Sequence, residues 1–264
     1  MIRLRRPLLV STVVLIASML TAAGCGGDDN ENSNTSGGAV KKTLKVGSDI
    51  PYTPFEFGKP PYKGLDVDVV NGIARGLGSK ANFVKTPFDT IFRDLAQGKF
   101  DMVASATTIT PERKKEVDFS DSYFPADQSL MVKKGSDIKT VDDVAGKVIG
   151  AQLGTTGADY AKNHTKASSV RTYDLIDDAF NALGAGQVQA VINDCPVSKY
   201  AERAHKNLTV VQAIQTNEQY GFAFPKGSDS LRNSVNKELG KLKQSGELAK
   251  ISDKWLGKKP CNLH

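Results

Sequence analysis

The chain has 264 residues, 39% hydrophobic and 24% charged, with a formal net charge of +6. Arg3, Arg5 and Arg6 lie in an N-terminal leader, so the remainder carries +3, too mild a balance to indicate a nucleic-acid surface. No stretch interleaves basic and aromatic residues, and no second apolar run approaches membrane-spanning length. The 220 or so residues that follow the leader and tether suit one large domain or two lobes.

Residues 1–24 read as an export signal. Three Arg make a positive start, Leu8–Leu20 is an apolar core, and small residues follow. The cut falls at Ala22-Ala23-Gly24-Cys25, which resembles a bacterial lipobox with Ala22 at the position where Leu is usual. That resemblance implies a diacylglyceryl thioether on Cys25 and an acylated amino group. Two or more acyl chains anchor a protein stably, whereas one does not. Residues 25–42 contain almost no apolar side chains and read as a disordered tether, with an r.m.s. reach of roughly 20–25 Å.

From Leu44 strands and helices alternate. Leu44–Ser48 predicts a strand, and Leu65–Leu77 a helix with Val69, Ile73 and Leu77 on one face. Asn82–Lys85 is a strand, Asp89 caps a short helix carrying Ile91, Phe92 and Leu95, and Met102–Ser105 is a third strand. This βαβαβ order predicts a parallel sheet with right-handed crossovers. Asp118–Lys134 is an extended aromatic-rich crossing. The pattern then restarts, with strands at Lys147–Gln152, Val170–Tyr173, Gln189–Asn193 and Leu208–Gln212. Helices are expected at Gly157–Asn163, Ile176–Leu183 and Pro196–His205. A second crossing, Gln219–Phe224, leads to helices Ser228–Lys243 and Gly246–Leu256. The expected fold class is α/β: two lobes with parallel-type sheets, residues 43–123 with 221–264 and residues 124–220, joined by a two-segment hinge.

One stretch carries most of the chemistry. After the Met102–Ala104 strand, hydroxyls line a turn, Thr110 suits an N-cap, Pro111 the first helical position, and Arg113 the first turn. A cation is disfavoured at a helix N-terminus, and a carboxylate gripped in bidentate fashion would offset that. The competing reading pairs Arg113 with Glu116 or Asp118 on the surface. In open parallel sheets ligands bind beyond the carboxyl ends of the strands. Those ends offer Asp49, Tyr52, Phe88 and Ser105–Thr108 from one lobe, and Gln152, Thr155, Thr156 and Asp194 from the other. One Arg, two carboxylates, hydroxyls, an amide and two aromatic faces suit an α-amino acid. Simpler readings stand beside this: Asp194 as a helix cap, Tyr52 and Phe88 as core, and Gly154-Thr155-Thr156 as a helix-entry turn. The last is not a phosphate-binding loop, because no Gly-Lys-Ser/Thr follows.

Ser48–Phe57, Gly64–Asp68, Thr108–Arg113, Asp118–Ser120, Tyr220–Gly227 and Lys254–Gly257 together resemble the family-3 extracellular solute-binding proteins. These are polar amino-acid receptors of ABC importers with the type II periplasmic-binding-protein fold. The similarity runs colinearly over residues 43–259. It implies that Arg113 binds the ligand carboxylate, Thr108 and the Ser105-Ala106 backbone contact its two polar ends, and Asp194 binds the ammonium. Thr156 is implied as a backbone donor to the carboxylate, Tyr52 and Phe88 as aromatic walls, and Asp49 as a group facing the side-chain end. Gln152 stands where glutamine-binding members look to carry Lys, so arginine or lysine is ranked before glutamine. An acidic ligand comes last, because Asp49 would repel it. The implied partners are an amino acid, permease subunits and, through the anchor, a membrane; the protein is taken as a monomer.

Exported cyclohexadienyl or arogenate dehydratases share this fold and form the enzymatic alternative, with Glu56 as the candidate general acid. No Ser/His/Asp set and no metal-ligand spacing is legible, so no cofactor is expected and the enzyme reading ranks second. A transglycosylase or a sensor module would need a further domain or a spanning segment after this one. Cys195 and Cys261 remain after Cys25. An exported location permits a disulfide between them, and the sequence leaves open whether their Cα atoms approach within about 7 Å.

Overall fold

The computed structural model describes residues 40–258 and Cys261. The expected leader, the lipidation site Cys25 and the tether up to residue 39 lie outside the described residues. Among the described residues no helix is long and apolar enough to cross a membrane.

The first lobe begins with β1 (Thr43–Ser48), α1 (Leu65–Gly76) and β2 (Lys80–Lys85). A 3-10 turn, Phe88–Thr90, enters α2 (Ile91–Ala96), followed by β3 (Met102–Val103), α3 (Arg113–Glu116) and β4 (Val117–Phe119). Asp89 lies inside the 3-10 turn, and α2 has no side-chain cap, so the expected Asp89 cap is not formed. The second lobe holds β5 (Phe124–Lys133), β6 (Val148–Gln152), α4 (Thr156–His164), β7 (Ser169–Tyr173) and α5 (Ile176–Ala185). It ends with β8 (Ala190–Asp194), α6 (Cys195–Ala201) and β9 (Leu208–Tyr220). The chain returns through β10 (Ala223–Pro225) to α7 (Asp229–Gln244) and α8 (Glu247–Leu256).

Two five-stranded sheets result, ordered β2-β1-β3-β10-β4 and β7-β6-β8-β5-β9. They are mixed, which corrects the expectation of parallel-type sheets. Three strands of each are parallel, but β10 runs antiparallel to β3 and β4, and β5 antiparallel to β8 and β9. The cause is connectivity. A parallel neighbour needs a crossover helix, and the two crossings have none, so each limb enters its sheet against the others. β9 also runs eight residues past the expected end at Gln212, because it pairs with β5 along its length.

Apolar spacing accounts for the packing. Val69, Val70 and Ile73 of α1 meet Val235, Leu239 and Leu242 of α7 in one buried cluster. α8 is fixed on the same lobe by Trp255, whose indole N–H donates to Asp68 at 2.8 Å, with Lys254 on the same oxygen at 2.7 Å. The crossings touch each other: Tyr123 stacks on Phe222 with ring centroids 4.4 Å apart and planes 7° from parallel. Ser120 N–H donates to the Phe222 carbonyl at 2.8 Å. Beyond α8, Cys261 is disulfide-bonded to Cys195, the first residue of α6, with Cα atoms 5.7 Å apart.

Gly64 sets the entry to α1. Its φ of 138° is closed to side chains, and a Cβ there would strike the Phe55 carbonyl. The same close approach lets Asp66 N–H bond Phe55 O at 3.0 Å. Gly64→Ala is therefore expected to lower stability by about 1–3 kcal/mol or more in urea unfolding. Gly240→Ala, in α7 with open space around it, should be neutral or stabilising by up to ~1 kcal/mol.

Candidate functional site

The carboxyl ends of β1, β3, β6 and β8 converge where the lobes meet. Side chains bridge the lobes directly. Tyr52 OH donates to Asp194 Oδ2 at 2.6 Å and lies 3.1 Å from Asn193 Oδ1. Gln152 Nε2 donates to Asp49 Oδ2 at 2.6 Å. Arg113 Nη2 donates to the Gly154 carbonyl at 3.1 Å. Gly154 itself packs against Asp89, where a Cβ on it would lie 3.0 Å from Asp89 Cα.

Asp194 occupies the N-cap position of α6 but makes no side-chain cap. Its carboxylate turns inward instead, accepting from Tyr52, from Tyr220 OH at 2.5 Å and from Gln128 Nε2 at 2.6 Å. Burial, and then the charge of Glu218, push its carboxyl up to about 6, against the pull of these donors. The helix-cap reading of Asp194 therefore fails, because its donors are ring hydroxyls and an amide from other elements.

Arg113 follows from local chain chemistry. The Thr110 hydroxyl accepts from Arg113 N–H at 3.1 Å and the Thr110 carbonyl from Lys114 N–H at 3.0 Å, so Thr110 opens the turn as expected. The guanidinium then runs inward over the rings of Phe88 (5.3 Å) and Phe92 (4.8 Å) and donates to the Thr108 carbonyl at 2.8 Å. Burial lowers its pKa, opposed by Glu218 and Asp194. Among the described residues it pairs with neither Glu116 nor Asp118, and Asp118 is held by Lys226 at 2.9 Å. Phe88 thus lies under the guanidinium. Arg113, Gly154, Thr156, Tyr160 and Glu218 line an adjoining cavity of about 410 Å³.

Beneath the cleft lies a chain of buried carboxyls. Asp49 is 1% exposed; burial raises its pKa to about 6, opposed first by the Gln152 amide. Asp49 N–H donates to Ser105 Oγ at 2.9 Å, and Ser105 Oγ donates to Glu56 Oε1 at 2.8 Å. Burial, then the nearby Asp66, hold Glu56 well above the usual carboxylate range. Asp66 accepts from Ala106 N–H at 2.8 Å and from Tyr123 OH at 2.6 Å, and burial raises it to about 7. Ala106 takes a left-handed φ of 43°, held by that bond. One carboxylate thus ties the Ser105-Ala106 turn to the first crossing.

Thr155 caps α4, accepting from Ala158 N–H at 3.1 Å and donating to the Gln152 carbonyl at 2.8 Å. Its hydroxyl is committed there, and that of Thr156 faces Glu218 instead. Sequence reasoning missed Gln128, Tyr220 and Glu218. The signal for the last two is the period-two pattern along β9, in which Ile214, Thr216, Glu218 and Tyr220 are the more buried positions. A carboxylate on that face needs donors, and it has three: Thr108, Thr156 and Gln128.

The chain belongs to the bacterial extracellular solute-binding proteins, family 3, whose profile matches residues 44–258. It is 34% identical over 258 residues to the ABC transporter glutamine-binding protein GlnH of Bacillus subtilis, covering 94% of each chain. An ancestral arginine-binding protein bound to glutamine superposes with a TM-score of 0.79 at 38% identity, over 83% of this chain and all of that one. The ancestral amino acid-binding protein AncCDT-1, a precursor of cyclohexadienyl dehydratase, gives 0.76 at 40% identity, over 81% and 95%. The fold is therefore that of the extracytoplasmic solute receptors, two α/β lobes about a central cleft.

The raised carboxyls have a thermodynamic consequence. Folded Asp49, Asp66 and Asp194 keep protons that the unfolded chain releases near its ordinary 3.8. Stability should therefore fall as pH rises from about 4 to about 7, and the raised Glu56 adds to the same fall. Urea unfolding across that range checks this, and Asp66→Asn should flatten its upper part. The depressed carboxyls Asp94, Asp118 and Asp143 act only below that window.

Proposed function

We propose that the protein is the lipid-anchored, monomeric receptor of an ABC importer, capturing a polar L-amino acid between its lobes and presenting it to a membrane permease. Arginine or lysine is the preferred ligand and glutamine the next. The observation that carries this is the pairing of one guanidinium, Arg113, with Asp194 across one cleft, each held by partners from both lobes or crossings. Arg113 takes the carboxylate in a charge-assisted grip, and Asp194 the ammonium. Closure about the two crossings, with lobes at residues 43–123 plus 221–264 and 124–220, brings the second lobe's contacts to a ligand bound on the first.

The cationic preference rests on Asp49. Its carboxylate is buried under the neutral Gln152 amide, and it is pushed up to about 6. A guanidinium or ammonium at the side-chain end would hold it ionised, whereas a neutral amide would only replace one hydrogen bond by another. The relatives support both ligands, one named for glutamine and one an arginine-binding protein bound to glutamine.

The test is a thermal-shift screen of the refolded mature protein against the twenty amino acids. A ligand at about 100 times its dissociation constant should add roughly 2.7 kcal/mol. The expected result is a shift with arginine and lysine that disappears in Arg113→Ala and Asp194→Ala. A glutamine-only shift would retain the receptor and discard the cationic preference. A second reading, a dehydratase-like enzyme, draws on AncCDT-1 and on Glu56, a fully buried acid with one oxygen unpartnered. It is promoted if no amino acid shifts the protein but arogenate or prephenate does.

The pH profile separates the ligands. Arginine affinity should fall as pH drops through about 6, where both Asp49 and Asp194 take up protons. Glutamine, which needs only Asp194 ionised, should lose affinity about half as steeply on a logarithmic scale. Titration calorimetry between pH 5 and pH 8 reads the two slopes, and equal slopes would remove Asp49 from the recognition of charge.

A further inference from the structure

Glu218 lies on β9 just before the second crossing. A bulge sets it there: Ala126 of β5 faces Glu218 while Gln128 faces Ile214, so β9 carries two extra residues. Asn217 adopts a left-handed φ of 55°, and Asp127 Oδ1 accepts the freed N–H groups of Thr216 (3.0 Å) and Asn217 (2.8 Å). The Glu218 carboxylate is thereby directed into the cleft. Its Oε2 lies 2.7 Å from Thr108 Oγ1, in the first lobe, and 2.7 Å from Thr156 Oγ1, in the second. Its Oε1 accepts from Gln128 Nε2 at 3.0 Å, the same nitrogen that donates to Asp194 Oδ1 at 2.6 Å.

The direction of these bonds is fixed by chemistry. Both threonine hydroxyls donate to the carboxylate oxygen. Thr156 Oγ1 also lies 3.3 Å from Gln128 Nε2, whose two hydrogens go to Asp194 and Glu218. Thr108 Oγ1 is different. Thr108 is 4% exposed, its carbonyl is taken by Arg113, and among the described residues no donor reaches its hydroxyl oxygen. With its proton committed, that oxygen has no hydrogen to offer a ligand carboxylate; it offers lone pairs to a cation.

We propose that Glu218 is a positioning residue for the ammonium end of the ligand: by accepting the Thr108 O–H hydrogen bond it turns the lone pairs of Thr108 Oγ1 toward the α-ammonium, beside Asp194. The inference rests on the amino-acid reading above and adds to it only the hold of Glu218 on the Thr108 hydroxyl. The ligand carboxylate is left to Arg113 and backbone donors, and the ammonium goes to Thr108 Oγ1 and Asp194. The carboxylates of Glu218 and Asp194, sharing one amide nitrogen, repel each other, and an ammonium between Thr108 and Asp194 relieves that repulsion.

The experiment is calorimetric. Wild type, Glu218→Ala, Glu218→Gln, Thr108→Val and the Glu218→Ala/Thr108→Val double variant are titrated with arginine and with 5-guanidinopentanoate, which lacks the α-ammonium. Glutamine and glutaramate serve in the same way if glutamine is the amino acid that binds. Glu218→Ala and Thr108→Val should each weaken the amino acid by about tenfold or more, while the deaminated counterpart moves by less than about threefold. The double variant should be no weaker than the worse single one, because both remove the same acceptor. Glu218→Gln, nearly isosteric, should fall between wild type and Glu218→Ala and guards against a folding artefact. Equal losses for both ligands would reduce Glu218 to a structural part of the bulge and overturn the proposal, as would additive losses or unchanged amino-acid affinity. A wild type that binds no amino acid defeats the receptor reading and this inference with it. A wild type that binds, with unmoved ratios in the variants, defeats this inference alone.

Discussion

A carboxylate taken out of water must be surrounded by hydrogen-bond donors, matched with a cation, or kept protonated. Asp49, Glu56, Asp66 and Asp194 are all buried around one cleft. Amide, hydroxyl and backbone N–H donors meet them one by one: Gln152 for Asp49, Ser105 for Glu56, Ala106 and Tyr123 for Asp66, and Tyr52, Tyr220 and Gln128 for Asp194. These donors are neutral, so burial still dominates and the carboxyls sit above their ordinary range. Much of the architecture around the cleft follows from placing those donors. The left-handed turn at Ala106 brings its N–H to Asp66, and the bulge in β9 sets Glu218 among its donors.

The same network makes the moving parts of the molecule one mechanical unit. Asp66 stands at the start of α1, yet its two oxygens hold the turn after β3 and the tyrosine of the first crossing. Tyr123 stacks on Phe222 of the second crossing, and Tyr220, two residues earlier, donates to Asp194. A displacement at the cleft therefore reaches both crossings through side chains in contact, without a long intervening path. The disulfide adds a covalent limit. It joins the segment after α8, which packs on the first lobe, to the first residue of α6, next to Asp194. Any rotation about the crossings keeps Cys195 beside Cys261.

Much of this was legible before any coordinates, and the divisions are physical. Helices and strands with regular apolar spacing, such as α1 with Val69 and Ile73, were placed to within a residue or two, because periodicity reports which face is buried. The elements around Arg113 were readable because a Thr-Pro turn opening has local chemistry. The mixed direction of the sheets was not, since pairing of β5 with β9 joins residues far apart in sequence and no local pattern encodes it. Glu218 and Gln128 were missed for a related reason. Each looks like an ordinary polar residue of a strand until the partner strand and a bulge decide which way it faces. The cap expected from Asp89 failed because that residue was drawn into a 3-10 turn ahead of the helix.

On the receptor reading proposed above, the charge arrangement bears on how such a cleft would capture and release a ligand. Raised carboxyls are weakly held as anions until a cation arrives, so the cleft tolerates its own acidity when the lobes part. A bound ammonium or guanidinium stabilises their ionised form, and water excluded on closure strengthens each pairing. The free energy of closure is thus drawn from the ligand's own charges. A ligand shifts the open and closed populations only by its differential affinity for the two. Arg113 illustrates the balance. Its contacts in this structure are carbonyls and aromatic faces, which orient the guanidinium without neutralising it. On the reading proposed above, a ligand carboxylate is the partner that its charge lacks. The residues that hold Arg113 span both lobes, so on that reading its charge is met where the lobes come together.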